Sequence, residues 1–136
     1  MKILDKNTDL GLLILRLSIG VLLLLHGIAK LVHGSDAIQQ MLEAAGLPAF
    51  IAYGVYIGEI VAPLFIISGY ATRLAAAIVV FNLIVAVLMA HSSDIFTLSE
   101  TGGWAIELQG LYIFGALALV FTGGGKYALS DKHLWD

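Results

Sequence analysis

The side chains able to do chemistry in this 136-residue chain are Arg16, His26, Lys30, Tyr56, Glu59, His91 and Glu107, set in otherwise apolar sequence. Glu59 is the lone charged residue between Leu47 and Tyr70, a run long enough to cross a bilayer. A carboxylate at the middle of such a span costs roughly 2.5–3.5 kcal/mol even on lenient insertion scales. Four residues on comes Pro63. Proline has no N–H to donate, and its ring crowds the carbonyl four residues back, here that of Glu59 itself. An acid and a free backbone acceptor thus coincide at one depth, and a polar group must meet them. A carboxylate held beside cations and imidazoles can relay protons or orient a hydrogen-bonding ligand.

Composition fixes the setting in which these residues work. The chain is 60% hydrophobic and 12% charged, with a mean hydropathy of +0.95. Soluble domains carry about twice that share of charge, so a soluble fold would lack the surface to cover its core. The net charge of −3 comes with no basic patch, which argues against a nucleic-acid partner and leaves the lipid bilayer as the primary one. There are no cysteines, which removes disulfides, thiol relays, thiolate metal sites and thioether-linked haem. The basic start with Lys2 and Lys6 is not followed by a small-x-small cleavage site, so an uncleaved first helix is expected.

Four apolar runs are candidate spans, at about 10–32, 47–70, 71–90 and 104–122, each near the roughly 20 residues that a bilayer demands. They form one domain over 1–136 with no linker: an all-α membrane protein, a bundle of four transmembrane helices. Between the first two spans, Ile38, Met41, Leu42 and Ala45 recur at helical spacing opposite Gln39, Gln40 and Glu43. This predicts a short amphipathic helix on the membrane surface, with Asp36 as its cap and Gly46-Leu47-Pro48 as its stop. Gly123-Gly124-Gly125 reads as the stop of the last helix, not a phosphate loop, because no Lys-Ser/Thr follows it. Lys2, Lys6, Arg73, Lys126 and Lys132 fall on one side of the membrane and Lys30 alone on the other, which places both termini in the cytoplasm.

Helical spacing then sorts the polar residues. Arg16, Gly20, Leu23, Gly27 and Lys30 share one face of the first span, and charge with glycine on one stripe marks a face that meets other helices. Tyr56, Glu59, Pro63 and Tyr70 share a face of the second. Arg73 and His91 share an azimuth at opposite ends of the third, with Asn82 midway on its other side. Glu107 and Gln109 lie about 200° apart on the fourth and cannot face one pocket. Arg16, roughly 9 Å in from the inner end, is the partner that depth suggests for Glu59. His26, Lys30, His91 and Glu107 gather above them towards the outer surface. Arg16 with Glu59 fits a structural ion pair that sets helix register as well as a functional pair. Pro63, Arg73 and Asn82 read as structural, no catalytic residue can be named, and no metal is expected because the histidines form no tight ligand motif.

These residues also carry a family resemblance. LRLSIGVLLLLHGIAKL resembles the opening L-R-x-x-x-G and H-G-x-x-K motifs of the DoxX family of small membrane proteins. AAGLP, GEIVAPLFIISGYATRLAA, His91 and the closing GGGKYALSD follow in the family's order, so the resemblance covers nearly the whole chain. It implies four helices in the bacterial inner membrane and an association with redox metabolism. No cofactor motif for haem, flavin or iron–sulfur is encoded. The leading expectation is therefore a quinone-interacting subunit, or an anchor for a soluble oxidoreductase. Arg16, His26 or Tyr56 would hydrogen-bond the quinone and Glu59 or Glu107 would relay protons. The alternatives are a non-enzymatic assembly scaffold, using residues 36–45 and the third loop as contact surfaces, and a small transporter or proton pathway, for which four spans are few and a homo-oligomer could supply more. Whether the chain is an enzyme is left open.

Overall fold

Asn7 opens the first helix: its side-chain oxygen accepts the Leu10 N–H at 3.0 Å. The computed structural model describes residues 5–136, so Lys2 lies outside the described residues. Five helices follow in order: α1 (Thr8–His33), α2 (Asp36–Ala44), α3 (Ala49–Ser68), α4 (Thr72–Ala90) and α5 (Glu107–Thr122). Among the described residues there is no strand beyond an isolated bridge between Leu98 and Trp104. Helices α1, α3 and α4 are long and apolar enough to cross a membrane, and their outward faces carry exposed Leu, Ile, Val and Phe. The fold is all-α, in a chain whose apolar exterior suits lipid. Helix α5 is equally apolar over 16 residues.

α1 runs antiparallel to α3 and the small residues of its inner stripe set the spacing. A methyl at Gly20 would come within 2.5 Å of Ile67 and 3.2 Å of the Pro63 carbonyl. A methyl at Gly27 would overlap the Glu59 carbonyl and Ile60. Backbones approach this closely only where side chains are absent. α4 packs along α5 and against α3, and Leu23, Ile66, Val79, Ala76, Ala116 and Leu119 fill the shared core.

α3 is not a uniform helix. Residues 49–53 wind as a 3₁₀ turn and Ile57–Val61 as a π turn, with the Ala62 N–H reaching back five residues to the Ile57 carbonyl. The π turn ends two residues before Pro63. It is the local answer to a proline that cannot donate to Glu59, and it swings Glu59 off the azimuth of a regular helix.

The end of the bundle at the α3–α4 turn is closed by the segment after α5. Gly123 stops α5 at φ +72°, and the chain folds back under the α3–α4 turn. The Asp136 carboxylate accepts the Ala71 N–H and the Trp135 carbonyl accepts the Leu74 N–H, so the tail satisfies groups that the start of α4 leaves free. Arg73 donates to the Val120 and Leu134 carbonyls, both at 2.7 Å, and thus ties α4 to α5 and the tail. Ala71 is held at φ +49°, a left-handed conformation that alanine rarely adopts. The start of α1 shares this end, since Asp9 accepts the Lys126 N–H.

Two sequence expectations shift locally. Ser35, not Asp36, precedes the first turn of α2, and its hydroxyl takes the Gln39 amide. The last helix starts at Glu107 rather than Trp104, because the Trp104 indole turns away to donate to the Ile95 carbonyl at 2.6 Å.

Candidate functional site: a membrane cavity beside a buried ion pair

Glu59 is paired with Lys30, not with Arg16. The Lys30 ammonium donates to both Glu59 oxygens, at 2.7 and 2.6 Å, and the carboxylate is 6% exposed. Tyr56 braces the pair from the same helix by donating its hydroxyl to the Lys30 carbonyl at 3.2 Å. The depth estimate behind the Arg16 expectation took α3 as regular and left the α1–α3 register open. The glycine contacts fix that register: Gly27 lies opposite Glu59 and Ile60, Gly20 opposite Pro63 and Ile67. Continuing the pattern carries Arg16 to the far end of α3, opposite Ile66 and Ile67, seven to eight residues or roughly 11 Å from Glu59.

There Arg16 does different work. It is 1% exposed, and its guanidinium donates to the carbonyls of Ile66 at 3.0 Å, Ile67 at 2.9 Å and Gly124 at 3.2 Å. Two of these acceptors belong to the last turn of α3, where unpaired carbonyls and the negative end of the helix dipole favour a cation. Arg16 is a structural staple that joins α1, α3 and the glycine turn after α5.

Above the core, a cavity of about 510 Å³ opens between the helices. Its polar lining consists of His26, Lys30 and Glu59 from α1 and α3, with Asn82, His91, Gln109 and Tyr112 from α4, its C-terminal end and α5. The rest is apolar: Leu23 below, Ile38, Met41 and Leu42 of α2 above, and Ile57, Phe81 and Met89 at the sides. Phe81 is 71% exposed and Ile57 52%, so the lining includes residues that also stand at the lipid-facing surface of α3 and α4. The His26 ring meets Tyr112 edge-on, with centroids 5.9 Å apart. The size and the mix of apolar wall with few polar groups are those of a small-molecule site.

The expected polar column is thus regrouped. His26, Lys30, Glu59 and His91 come together around the cavity. Arg16 sits elsewhere, and Tyr56 acts on the Lys30 backbone. Glu107 is exposed and lies against Gly103, away from the lining, so it does not join the histidines; Gln109 faces the cavity in its place. His91 reaches the same cavity as Asn82 despite opposite azimuths because α4 ends at Ala90. The backbone at His91 leaves the helix, at φ −134°, and its Nδ1 lies 3.5 Å from Asp94. Asn82 lines the cavity and packs directly on Gly58. Tyr112 also lines the site, and no sequence signal separates it from the other aromatics of α5.

Residues 11–92 match the DoxX family. The chain belongs to the DoxX family. It is similar to "Putative oxidoreductase CatD" of Bacillus subtilis, at 29% identity over 92% of this chain and 88% of that protein. It is similar at 32% identity to an uncharacterized protein of Haemophilus influenzae, over 97% of both chains. It also resembles inner membrane protein YqjF of Escherichia coli, at 29% identity over 91% of this chain and 92% of that one. No solved structure matches it. This DoxX protein is a membrane protein, and its matched segment holds Arg16, the Lys30–Glu59 pair, Asn82 and His91.

Proposed function

We propose that this DoxX protein is an inner-membrane subunit of a redox system and that its cavity receives a quinone. The observation that carries the reading is the form of the cavity: about 510 Å³, lined in part by the lipid-exposed Ile57 and Phe81, mostly apolar, with a charged pair and two imidazoles in its lining. A water-soluble substrate gains little from such a wall. A ring with a long apolar tail buries the tail against it and sets its oxygens against Lys30, His26 and Glu59. Electrons would reach the ring from a partner oxidoreductase, and the carboxylate of Glu59 is placed to exchange protons with it. The name of the Bacillus subtilis relative agrees with a redox setting. α5 serves as the fourth span, and the end that holds Arg73, Lys126 and the start of α1 faces the cytoplasm under the positive-inside rule.

The test is thermal protection of the purified protein by ubiquinone and by menaquinone. Ligand at about 100 times its dissociation constant stabilises by about 2.7 kcal/mol and raises the melting temperature. No shift with either quinone at saturation overturns the reading.

A second reading, an anchor for a soluble oxidoreductase, is favoured by the ordered loop after α4. Backbone bonds from Ser99 to Gly103 and from Ala105 to Thr97 brace it, and it presents Phe96 fully to the exterior. Phe96→Ser should then abolish co-purification of the partner while quinone protection is kept.

A further inference from the structure

The α4 and α5 side of the cavity holds polar groups that no other described residue uses. Among the described residues, the side chains of Asn82, Gln109 and Tyr112 make no hydrogen bond. Tyr112 is 8% exposed and lines the cavity. Asn82 stands midway along α4, at a depth where a bilayer offers no water to an unpaired amide. Such a group is kept at a cost in stability unless something pairs with it. Its position is not loose: Gly58 of α3 lies flat against its side chain from Cβ to the amide, and any larger residue at 58 would overlap it.

We infer that Asn82 and Tyr112 hold an oxygen of the ring ligand from the α4–α5 side of the cavity, and that the cavity therefore accepts the ligand's oxidised and reduced forms alike. This rests on the quinone reading above. An amide offers both a donor and an acceptor, and a phenol does the same. A carbonyl oxygen is met by the Asn82 NH₂ or the Tyr112 hydroxyl, and a hydroxyl group by the Asn82 carbonyl. Lys30 donates and Glu59 accepts as well, so either redox form finds both a donor and an acceptor in the site. A site of this kind would let a ring change redox state in place without being expelled.

The experiment measures binding of decylubiquinone and of chemically reduced decylubiquinol to the wild type, Asn82→Leu and Tyr112→Phe, together with the melting temperature of each protein without ligand. The wild type should bind both forms within about threefold of each other. Each variant should lose roughly tenfold for both, the worth of one good hydrogen bond. Ligand-free Asn82→Leu should melt higher than the wild type, because it removes an unpaired amide from the interior. Unchanged binding in both variants overturns the inference and leaves the quinone reading standing. So does a wild-type preference above about thirtyfold for one form. A wild type that binds neither form overturns both.

Discussion

Gly27 of α1 lies directly on the carbonyl of Glu59, one turn before Lys30 reaches over to close on the carboxylate of the same residue. The backbone contact and the ion pair are one arrangement: the first sets how near the helices come, and the second needs that nearness.

Gly27→Ala should therefore act as a wedge. Its methyl overlaps the Glu59 carbonyl and Ile60, so α1 must lift from α3. We expect a loss of about 2 kcal/mol or more with the Lys30–Glu59 pair opened, read as a lower midpoint in detergent unfolding. Gly11→Ala in the same helix meets nothing within 4 Å and should be neutral or stabilising.

Removing one member of the ion pair should cost more than removing both. Lys30→Met strands a carboxylate that is 6% exposed. The expected loss is about 2 kcal/mol, below the range for fully buried pairs because the Lys30 side chain is 35% exposed. The double variant Lys30→Met/Glu59→Gln should recover more than about 1 kcal/mol of it. Strictly additive losses in a double-mutant cycle would show that the pair carries no coupling.

How far the sequence foretold this site can be judged from two residues on α1. The stripe Arg16–Gly20–Leu23–Gly27–Lys30 does face a neighbouring helix, because a 3.6-residue period and the cost of charge against lipid both point there. Which cation meets Glu59 was not legible. That depends on the register of α1 against α3, which close glycine contacts set, and on the π turn at Ile57–Val61, which periodicity does not reveal. Asn82 and Gln109 escaped for a related reason: a polar residue in an apolar helix reads the same whether it meets another helix or an open cavity. The amphipathic α2 was legible from spacing, but not that Ile38, Met41 and Leu42 would wall the cavity.

Arg16→Lys should be costly although it keeps the charge. A single ammonium cannot reproduce the fork that bonds Ile66, Ile67 and Gly124 together. With two of three charge-assisted bonds lost, we expect about 3 kcal/mol of destabilisation. Quinone protection should remain at temperatures where the variant is folded, since Arg16 stands outside the cavity lining.

Acid should release the tail. The Asp136 side chain accepts from the Ser130 hydroxyl first, and from the backbone N–H groups of His133, Ala71 and Lys132; these hold its pKa below the ordinary 3.8, against the opposing effect of burial. A depressed carboxyl pKa contributes stability that is present above the unfolded value of 3.8 and is lost as pH falls through the lower folded value. Tail release should thus begin below pH 3.8. In a Trp104→Phe background, fluorescence of Trp135, stacked on His133, reports it. Asp136→Asn should already be partly released at neutral pH and show no such acid step.

The bracing of α4 by Asp136 and Trp135 also fixes an order of events during synthesis. A ribosome delivers α3, the Ala71 turn and α4 well before residues 134–136 exist, and at about 5–20 residues per second the interval is several seconds. Through that interval the strained alanine and the bare start of α4 have no partner from the tail. The helices enter the bilayer as an unfastened hairpin, and residues 134–136, made later, are the latch that shuts it.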